Sequence, residues 1–288
     1  MAITLKAHAK INWALNITGR RPDGYHLLDM LMQTVALCDE ITLSPAEELT
    51  LTVDGIPQAD PGANLVVRAA NALRARAGRP CGARIDLVKR IPERAGLGGG
   101  SADCAAALRG LNRLWALGLS DGELMEIGAG LGADVPFCLT GGLARVRGIG
   151  ERIDPVPGAP MLPLALVRPG EGLSTAAVFA LWDRGGFPAT PLDADALARA
   201  VLRGDLAAVD ALGVNALTAP ALALLPEIGA AMDAMRSLGA CAVFMTGSGS
   251  TVVGAFPSGS DARRAAERLP GAIFTHTLGD GDDREFFA

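Results

Sequence analysis

The sequence predicts a chain of mixed helices and strands in two domains, and three observations carry that prediction. The 288 residues are about twice the length of a common domain. Stretches that alternate apolar and polar residues are interspersed with stretches whose apolar residues recur every three or four positions. A Pro-rich segment at residues 154–163 divides the chain near its middle and reads as a linker.

The elements follow in order. Ile11, Trp13, Leu15 and Ile17 alternate with Lys10, Asn12 and Asn16, so residues 3–17 form a strand. Arg20-Arg21-Pro22-Asp23-Gly24 is a turn, and an apolar stretch runs from Tyr25 through Val35. Residues 41–43, 49–53 and 85–88 read as short strands. Leu65, Ala69, Ala72 and Leu73 lie at helical spacing within a helix over 64–76. A second helix begins near Ser101 and buries Leu108, Leu111, Leu114 and Trp115. A third spans 120–131 and opens with a capping box, Ser120 and Glu123. Beyond the linker, strands are expected at 164–167, 241–245 and 251–256, and helices at 174–183, 193–212, 219–238 and 262–269. The tail, residues 280–285, is acidic and reads as a solvated end.

Composition bounds the function. Half the residues are apolar and a fifth are charged, enough for a packed core. A net charge of −5 argues against a nucleic-acid partner and against a polybasic membrane anchor, and favours small-molecule work. No secretory leader is visible, and no apolar run approaches the ~20 residues of a membrane span. The five cysteines are scattered without a Cys-x-x-Cys pair, and the three histidines lie far apart, which points to reduced thiols, no metal site and a cytoplasmic protein. Of 26 basic residues only Lys6, Lys10 and Lys89 are lysines, so each is a candidate for a position that needs a compact point charge.

Glycine supplies 36 residues, and the clusters carry chemistry. Residues 96–103, Gly-Leu-Gly-Gly-Gly-Ser-Ala-Asp, sit between a strand and a helix. Glycines let a backbone approach an anion, and free N–H groups at a helix start point at it. The chain has no Gly-Lys dipeptide, so this is not a Walker A loop, and it lacks the third small residue of the dinucleotide fingerprint. Alone, such a turn also serves close helix packing. Three further features accompany it: Lys10 and Asn12 on one strand face, Asp134 at a helix end, and Thr246-Gly247-Ser248-Gly249-Ser250 between two strands. Singly these read as a solvated charge, a turn residue and a hairpin loop.

Together, and in this order, they resemble the galactokinase, homoserine kinase, mevalonate kinase and phosphomevalonate kinase (GHMP kinase) family. The matching segments are Ala9-Lys10-Ile11-Asn12, Ile91-Pro92-Glu93-Arg94-Ala95-Gly96-Leu97-Gly98-Gly99-Gly100-Ser101 and Thr246-Gly247-Ser248-Gly249. Arg21-Pro22-Asp23-Gly24-Tyr25-His26 and Gly132-Ala133-Asp134-Val135-Pro136-Phe137 are similar to the branch whose acceptor carries a cytidine diphosphate, and the resemblance covers essentially the whole chain. Ala102 stands where a second serine is common, and Ser248 where some members have threonine.

The resemblance implies an α+β fold in two lobes. The N-terminal lobe, residues 1–152, would be similar to the left-handed βαβ arrangement of ribosomal protein S5 domain 2. The C-terminal lobe, 153–288, would be ferredoxin-like, with the tail returning toward the first lobe and the active site between the two. It also implies transfer of the γ-phosphoryl of ATP, with Mg²⁺, to the 2-OH of a methylerythritol unit in non-mevalonate isoprenoid synthesis. Pro92, Ala95, Gly96, Leu97, Gly98, Gly99, Gly100, Ser101 and Ala102 would hold the ATP phosphates, and Asn64, Leu65 and Val66 the adenine side. Lys10 and Asp134 would be catalytic. An ammonium beside a carboxylate weakens it as a base but stabilises a developing negative charge, so Asp134 is either base or hydroxyl-orienting group. Asn12, Thr246, Gly247, Ser248, Gly249 and Thr175 would contact the acceptor, Tyr25 and Phe179 would enclose its pyrimidine, and His26 would meet the base edge. No dedicated metal ligand is evident. A sister kinase for homoserine or a sugar would not need Tyr25-His26, and a non-catalytic ATP sensor would not need Lys10 and Asp134.

Overall fold

The alternation at the start of the chain continues as one strand, β1 (Ile3–Arg20), which turns back as β2 (His26–Pro45) and pairs with it antiparallel along nearly its whole length. The computed structural model describes residues 1–58, 61–187 and 191–279; the acidic tail at 280–285 lies outside these. The apolar side chains Ile11, Trp13, Leu15 and Ile17 are buried as the alternation requires. Residues 41–43 are part of β2 rather than a separate strand, because they pair with residues 3–5 of β1 in one ladder that runs on through three local register shifts.

β2 organises the first sheet. Its second half pairs with β5 (Ala83–Val88), and its first half with β6 (Leu143–Gly148). The sheet continues through β3 (Leu49–Val53) and β4 (Ile56–Pro57) on one side and β7 (Arg152–Pro155) on the other. β3 and β5 run parallel, joined by α1 (Leu65–Ala77), and the other pairings are antiparallel. Asn64 begins α1 by accepting the Val66 N–H at 2.9 Å. With α2 (Gly99–Leu114), α1 buries one face against the sheet, where Leu5, Leu43, Leu73, Ile85, Leu108 and Leu111 meet. The expected capping box opens α3 (Asp121–Leu131), and a six-residue helix, α4 (Val135–Thr140), follows it. The proline-rich linker is shorter than expected, since β7 occupies its first residues and pairs with β6.

The second sheet is built from β8 (Pro163–Val167), β9 (Ala242–Met245), β10 (Val252–Ala255) and β11 (Ile273–His276). Its order, β11-β8-β10-β9, is antiparallel throughout. Counted within the lobe this is 4-1-3-2, the ferredoxin-like order. α5 (Thr175–Gly185) follows β8, and α10 (Gly259–Arg268) packs on that strand. The two long helices expected between them are each broken. α6 (Ala194–Arg203) and α7 (Leu206–Leu212) part at Gly204, where Asp205 caps the new helix through the Ala208 N–H. α8 (Thr218–Leu224) and α9 (Glu227–Ser237) part at Pro226, which has no N–H to continue the first.

The lobes are not independent. One apolar core joins Ile11, Trp13 and Leu31 to Leu164, Val201 and Val253, and another joins Leu15, Met30 and Phe137 to Val178, Leu217 and Val252. The last strand also reaches back: Val35 of β2 bridges Thr277, and the Leu278 N–H donates to the Thr34 carbonyl at 2.9 Å. Gln33 ties this junction together, accepting from the Trp13 indole at 2.8 Å and donating to the Leu278 carbonyl at 3.1 Å.

Candidate active site

Among the described strands β1 pairs with β2 alone, so its other edge is open to loops, which meet it through single bonds and a bridge of Leu15 to Asn215. Three segments far apart in sequence meet it. The Lys10 N–H donates to the Leu97 carbonyl at 3.0 Å, the Asn12 N–H to Thr246 Oγ1 at 2.8 Å, and the Leu15 N–H to the Val214 carbonyl at 2.8 Å. The edge of one strand therefore sets the spacing between the glycine loop, the C-terminal hairpin and the 214–216 segment.

The glycine loop and the hairpin touch backbone to backbone. A Cβ on Gly96 (φ +74°) would overlap the Thr246 carbonyl oxygen, and one on Gly247 would lie 2.7 Å from the Gly96 carbonyl oxygen. The hairpin is held from behind by Asn215, whose Nδ2 donates to the carbonyls of Met245 and Gly247 at 2.8 and 2.9 Å. Gly98, in the left-handed region, begins α2, and no side chain caps that helix. The first N–H groups of α2 thus have no side-chain partner, an arrangement that suits an anion.

Lys10 lies beside this helix start. Its aliphatic stem passes Gly98, where an added Cβ would stand 3.0 Å from Cγ. Its Nζ donates to Asn12 Oδ1 at 2.8 Å and sits 3.4 Å from Asp134 Oδ2. The Lys10 side chain is 5% exposed and that of Asp134 30%, so the ammonium is enclosed while the carboxylate faces the cleft. Asp134 occupies the N-cap of α4, but its side chain makes no capping bond. An aspartate at that position ordinarily caps the helix, worth about 1 kcal/mol. Here the carboxylate turns to Lys10 and the cleft instead.

The cleft has a volume of about 610 Å³. Of the residues expected at the site, Lys10, Asn12, Asn64, Leu65, Pro92, the run from Ala95 to Ser101, Asp134, Thr175, Phe179, Gly247, Ser248 and Gly249 line it. Val66 and Ala102 are buried in the core beneath, and Thr246 is buried behind Asn12. Thr175 Oγ1 and Ser248 Oγ are 2.8 Å apart, which joins the start of α5 to the hairpin. Tyr25 and His26 stand outside the lining. Tyr25 is 62% exposed at the tip of the β1–β2 turn. The His26 ring, not Tyr25, stacks on Phe179, with centroids 4.6 Å apart and planes inclined by 25°.

Sequence reasoning missed several residues that shape the cleft. Asn215, Trp182 and Asp183 act through long-range contacts and have no local signature. In the sequence Lys89 has only the scarcity of lysine to mark it. It lines the cleft and lies between two carboxylates, donating to Asp39 and, at 2.6 Å, to Asp103 Oδ2. Asp39 also accepts the Ile91 N–H at 2.8 Å, which anchors the segment leading into the glycine loop.

Two carboxylates share one ammonium here, and burial sets the result. Desolvation pushes the Asp103 carboxyl from its ordinary 3.8 up to about 7, against the pull of Lys89 and with the help of Asp39. For Lys89, burial works against the charge, but Asp103 and Asp39 outweigh it and raise its pKa. Between about pH 4 and 7 the folded state therefore keeps an Asp103 proton that the unfolded chain has lost, so this group's contribution to stability falls as pH rises through that window. Asp103→Asn keeps an oxygen for Lys89 and removes the titration. The Tm of this variant relative to the parent should rise by roughly 2 °C or more between about pH 5 and about pH 8. An equal offset at both pH values, in a thermal melt, would refute this account.

Comparison with known proteins decides the family. The model described as GHMP kinases N terminal domain matches residues 64–142, and GHMP kinases C terminal matches 196–274. The chain belongs to the GHMP kinase family. It is 45% identical over 283 residues to the 4-diphosphocytidyl-2-C-methyl-D-erythritol kinase of Moorella thermoacetica, covering 96% of this chain and 99% of that one. The enzyme of the same name from Pelotomaculum thermopropionicum is 44% identical, over 93% and 94% of the two chains. A crystal structure of 4-(cytidine 5'-diphospho)-2C-methyl-D-erythritol kinase superposes with a TM-score of 0.83 at 37% identity, covering 96% of this chain and 99% of that one. Homoserine kinase from Cytophaga hutchinsonii shares the fold, with a TM-score of 0.72 at 18% identity over 96% and 95%. As a GHMP kinase the protein is a small-molecule kinase that uses ATP, and its two-lobed α+β architecture is that of the family. Among the described residues, no helix is long and apolar enough to cross a membrane.

Proposed function

We propose that this GHMP kinase phosphorylates the 2-OH of 4-diphosphocytidyl-2-C-methyl-D-erythritol, the acceptor in its relatives' names, with the residues of the cleft in the following roles. The observation that supports the reading most is the Asn12–Lys10–Asp134 chain of contacts beside the uncapped start of α2. In this reading an enclosed ammonium and a cleft-facing carboxylate stand beside the helix start that would take the phosphates. Phosphoryl transfer asks for alignment and charge stabilisation more than for covalent chemistry, and this arrangement supplies both.

The glycine loop and Ser101 hold the triphosphate on backbone N–H groups, and Asn64 and Leu65 flank the adenine. Lys10 stabilises the charge that develops on the transferring phosphoryl. Asp134 accepts the proton of the attacking hydroxyl or orients it. Asn12, through Oδ1, keeps Lys10 aimed at the cleft, and the hairpin with Thr175 flanks the acceptor. Among the described residues no group of three or more His, Cys, Asp and Glu side chains is placed to hold a metal. The donor set therefore fits a cation that arrives on phosphate oxygens, and Mg²⁺ bound to ATP would neutralise their charge there.

The cytidine end would lie at the stacked rings of His26 and Phe179, with the exposed Tyr25 next to His26 in the turn. A base stacked on an aromatic ring gains about 1–3 kcal/mol. His26→Ala should therefore raise KM for the cytidyl acceptor about tenfold while leaving KM for ATP unchanged. An unchanged acceptor KM would remove His26 from base recognition. The reading as a whole is tested by ADP release with Mg·ATP and the cytidyl acceptor, beside homoserine, galactose and mevalonate. Turnover with the cytidyl acceptor alone is expected. Turnover with one of the others instead would keep the phosphate site and discard the acceptor.

A further inference from the structure

The β1–β2 turn belongs to the first lobe and α5 to the second, yet one carboxylate of α5 reaches two residues of the turn, beside the stacking of His26 on Phe179. Asp183, near the C-terminal end of α5, accepts from His26 Nε2 at 2.7 Å through Oδ1 and lies 3.4 Å from Arg20 Nη1 through Oδ2. Its side chain is 24% exposed and that of His26 11%, so the contact is largely sheltered. The turn has its own internal bonds. The Arg21 N–H donates to the Tyr25 carbonyl at 2.7 Å, and Arg20 Nε donates to the Gly24 carbonyl at 3.1 Å. It therefore moves as a unit, and whatever fixes His26 also fixes Tyr25. The same contact sets the ring of His26 flat on Phe179 and edge-on to Trp182, 5.7 Å away.

The other end of α5 is held too, by Thr175 Oγ1 against Ser248 Oγ at 2.8 Å. Thr175 and Asp183 are eight residues apart, about 12 Å along a helix. α5 is thus pinned at one end to the phosphate-side hairpin and at the other to the turn, with Phe179 between them. We propose that Asp183 is a positioning residue for the acceptor: it fastens the Arg20–His26 turn to α5, so that both walls of the base end are held in register with the phosphate site. The proposal rests on the cytidyl-acceptor reading above and adds to it a residue that touches neither substrate.

Two variants and two ligands test it. Asp183→Ala removes both contacts, and Asp183→Asn keeps an oxygen for His26 Nε2 while discharging the contact with Arg20. Steady-state kinetics gives KM for the cytidyl acceptor and for ATP. Titration with cytidine 5'-diphosphate, followed by calorimetry or by the change in tryptophan fluorescence, to which Trp182 beside His26 contributes along with Trp13 and Trp115, gives base-end binding without turnover. For Asp183→Ala the acceptor KM and the cytidine 5'-diphosphate Kd should each rise about tenfold or more, while KM for ATP stays within about twofold. Asp183→Asn should recover part of the loss, which a merely structural role would not produce. Equal Kd and KM in all three proteins would overturn the proposal and leave the acceptor reading standing, as would a rise in KM for ATP equal to that for the acceptor. A parent enzyme that neither binds cytidine 5'-diphosphate nor turns over the cytidyl acceptor would overturn both. Should Asp183→Ala not fold, Asp183→Asn against the parent decides on the same measurements.

Discussion

Asp134→Asn should lower kcat at least roughly 10²-fold, with a much smaller change in KM for either substrate. The geometry explains why the loss falls on the chemical step. Asp134 turns away from the helix it begins and faces the cleft beside Lys10, 3.4 Å from the ammonium. Asparagine keeps the shape and one accepting oxygen, but it takes up no proton and presents no charge to Lys10. Comparison with Asp134→Ala then separates the two roles of the carboxylate. If proton acceptance dominates, both variants lose activity alike. The contrary result, activity largely retained in Asp134→Asn and lost in Asp134→Ala, would make the carboxylate an orienting group instead. Single-turnover measurement of phosphoryl transfer reads the difference directly, and near-normal kcat in Asp134→Asn would exclude Asp134 as the base. The ammonium left behind keeps Asn12 Oδ1 as a partner at 2.8 Å, so the variant is expected to fold.

The parts of this site that were legible in the sequence are those encoded locally. A Gly-rich run between a strand and a helix announces an anion site because only particular backbone conformations expose so many N–H groups. Lys10 and Asn12 read as a pair because alternate residues of a strand share a face. Asp134 is legible at a helix end, and the structure adds that its side chain forgoes the local capping bond there. Less legible was whatever depends on chain distance. Asp183 meets His26 across 157 positions, and Asn215 reaches Met245 and Gly247 about thirty residues on. Short strands were missed for the same reason: β7 has four residues, and only its pairing with β6 makes it a strand. The long helices failed at their breaks, since Ala-rich and Leu-rich periodicity runs on past Gly204 and Pro226, where the backbone does not.

Gly96→Ala should abolish most of the activity by disturbing the contact between lobes rather than by removing a functional group. Gly96 combines a φ of +74° with backbone on the side where Cβ would project. The added carbon would overlap the Thr246 carbonyl oxygen and stand 3.1 Å from that of Gly249. The left-handed conformation alone costs roughly 1–2 kcal/mol for a residue with a side chain, and overpacking adds about 1–3 kcal/mol. Neither cost is relieved by a rotamer change, because the obstructing atoms are main chain. The loop and hairpin must then separate. The hairpin is tied to Asn12 through Thr246 Oγ1 at 2.8 Å, and the loop to Lys10 through the Leu97 carbonyl at 3.0 Å. Separation therefore pulls on both ends of the Lys10–Asn12 pair. The expected result is a lower Tm together with a loss in kcat/KM of at least about 10²-fold, larger than the stability loss alone would produce in a protein still folded at assay temperature. Gly186→Ala is the control. Gly186 has a φ of +59° but nothing within 4 Å of an added Cβ, so it should share the conformational cost and not the catalytic one. Equal kcat/KM in the two variants would show that the loop–hairpin contact does not govern catalysis.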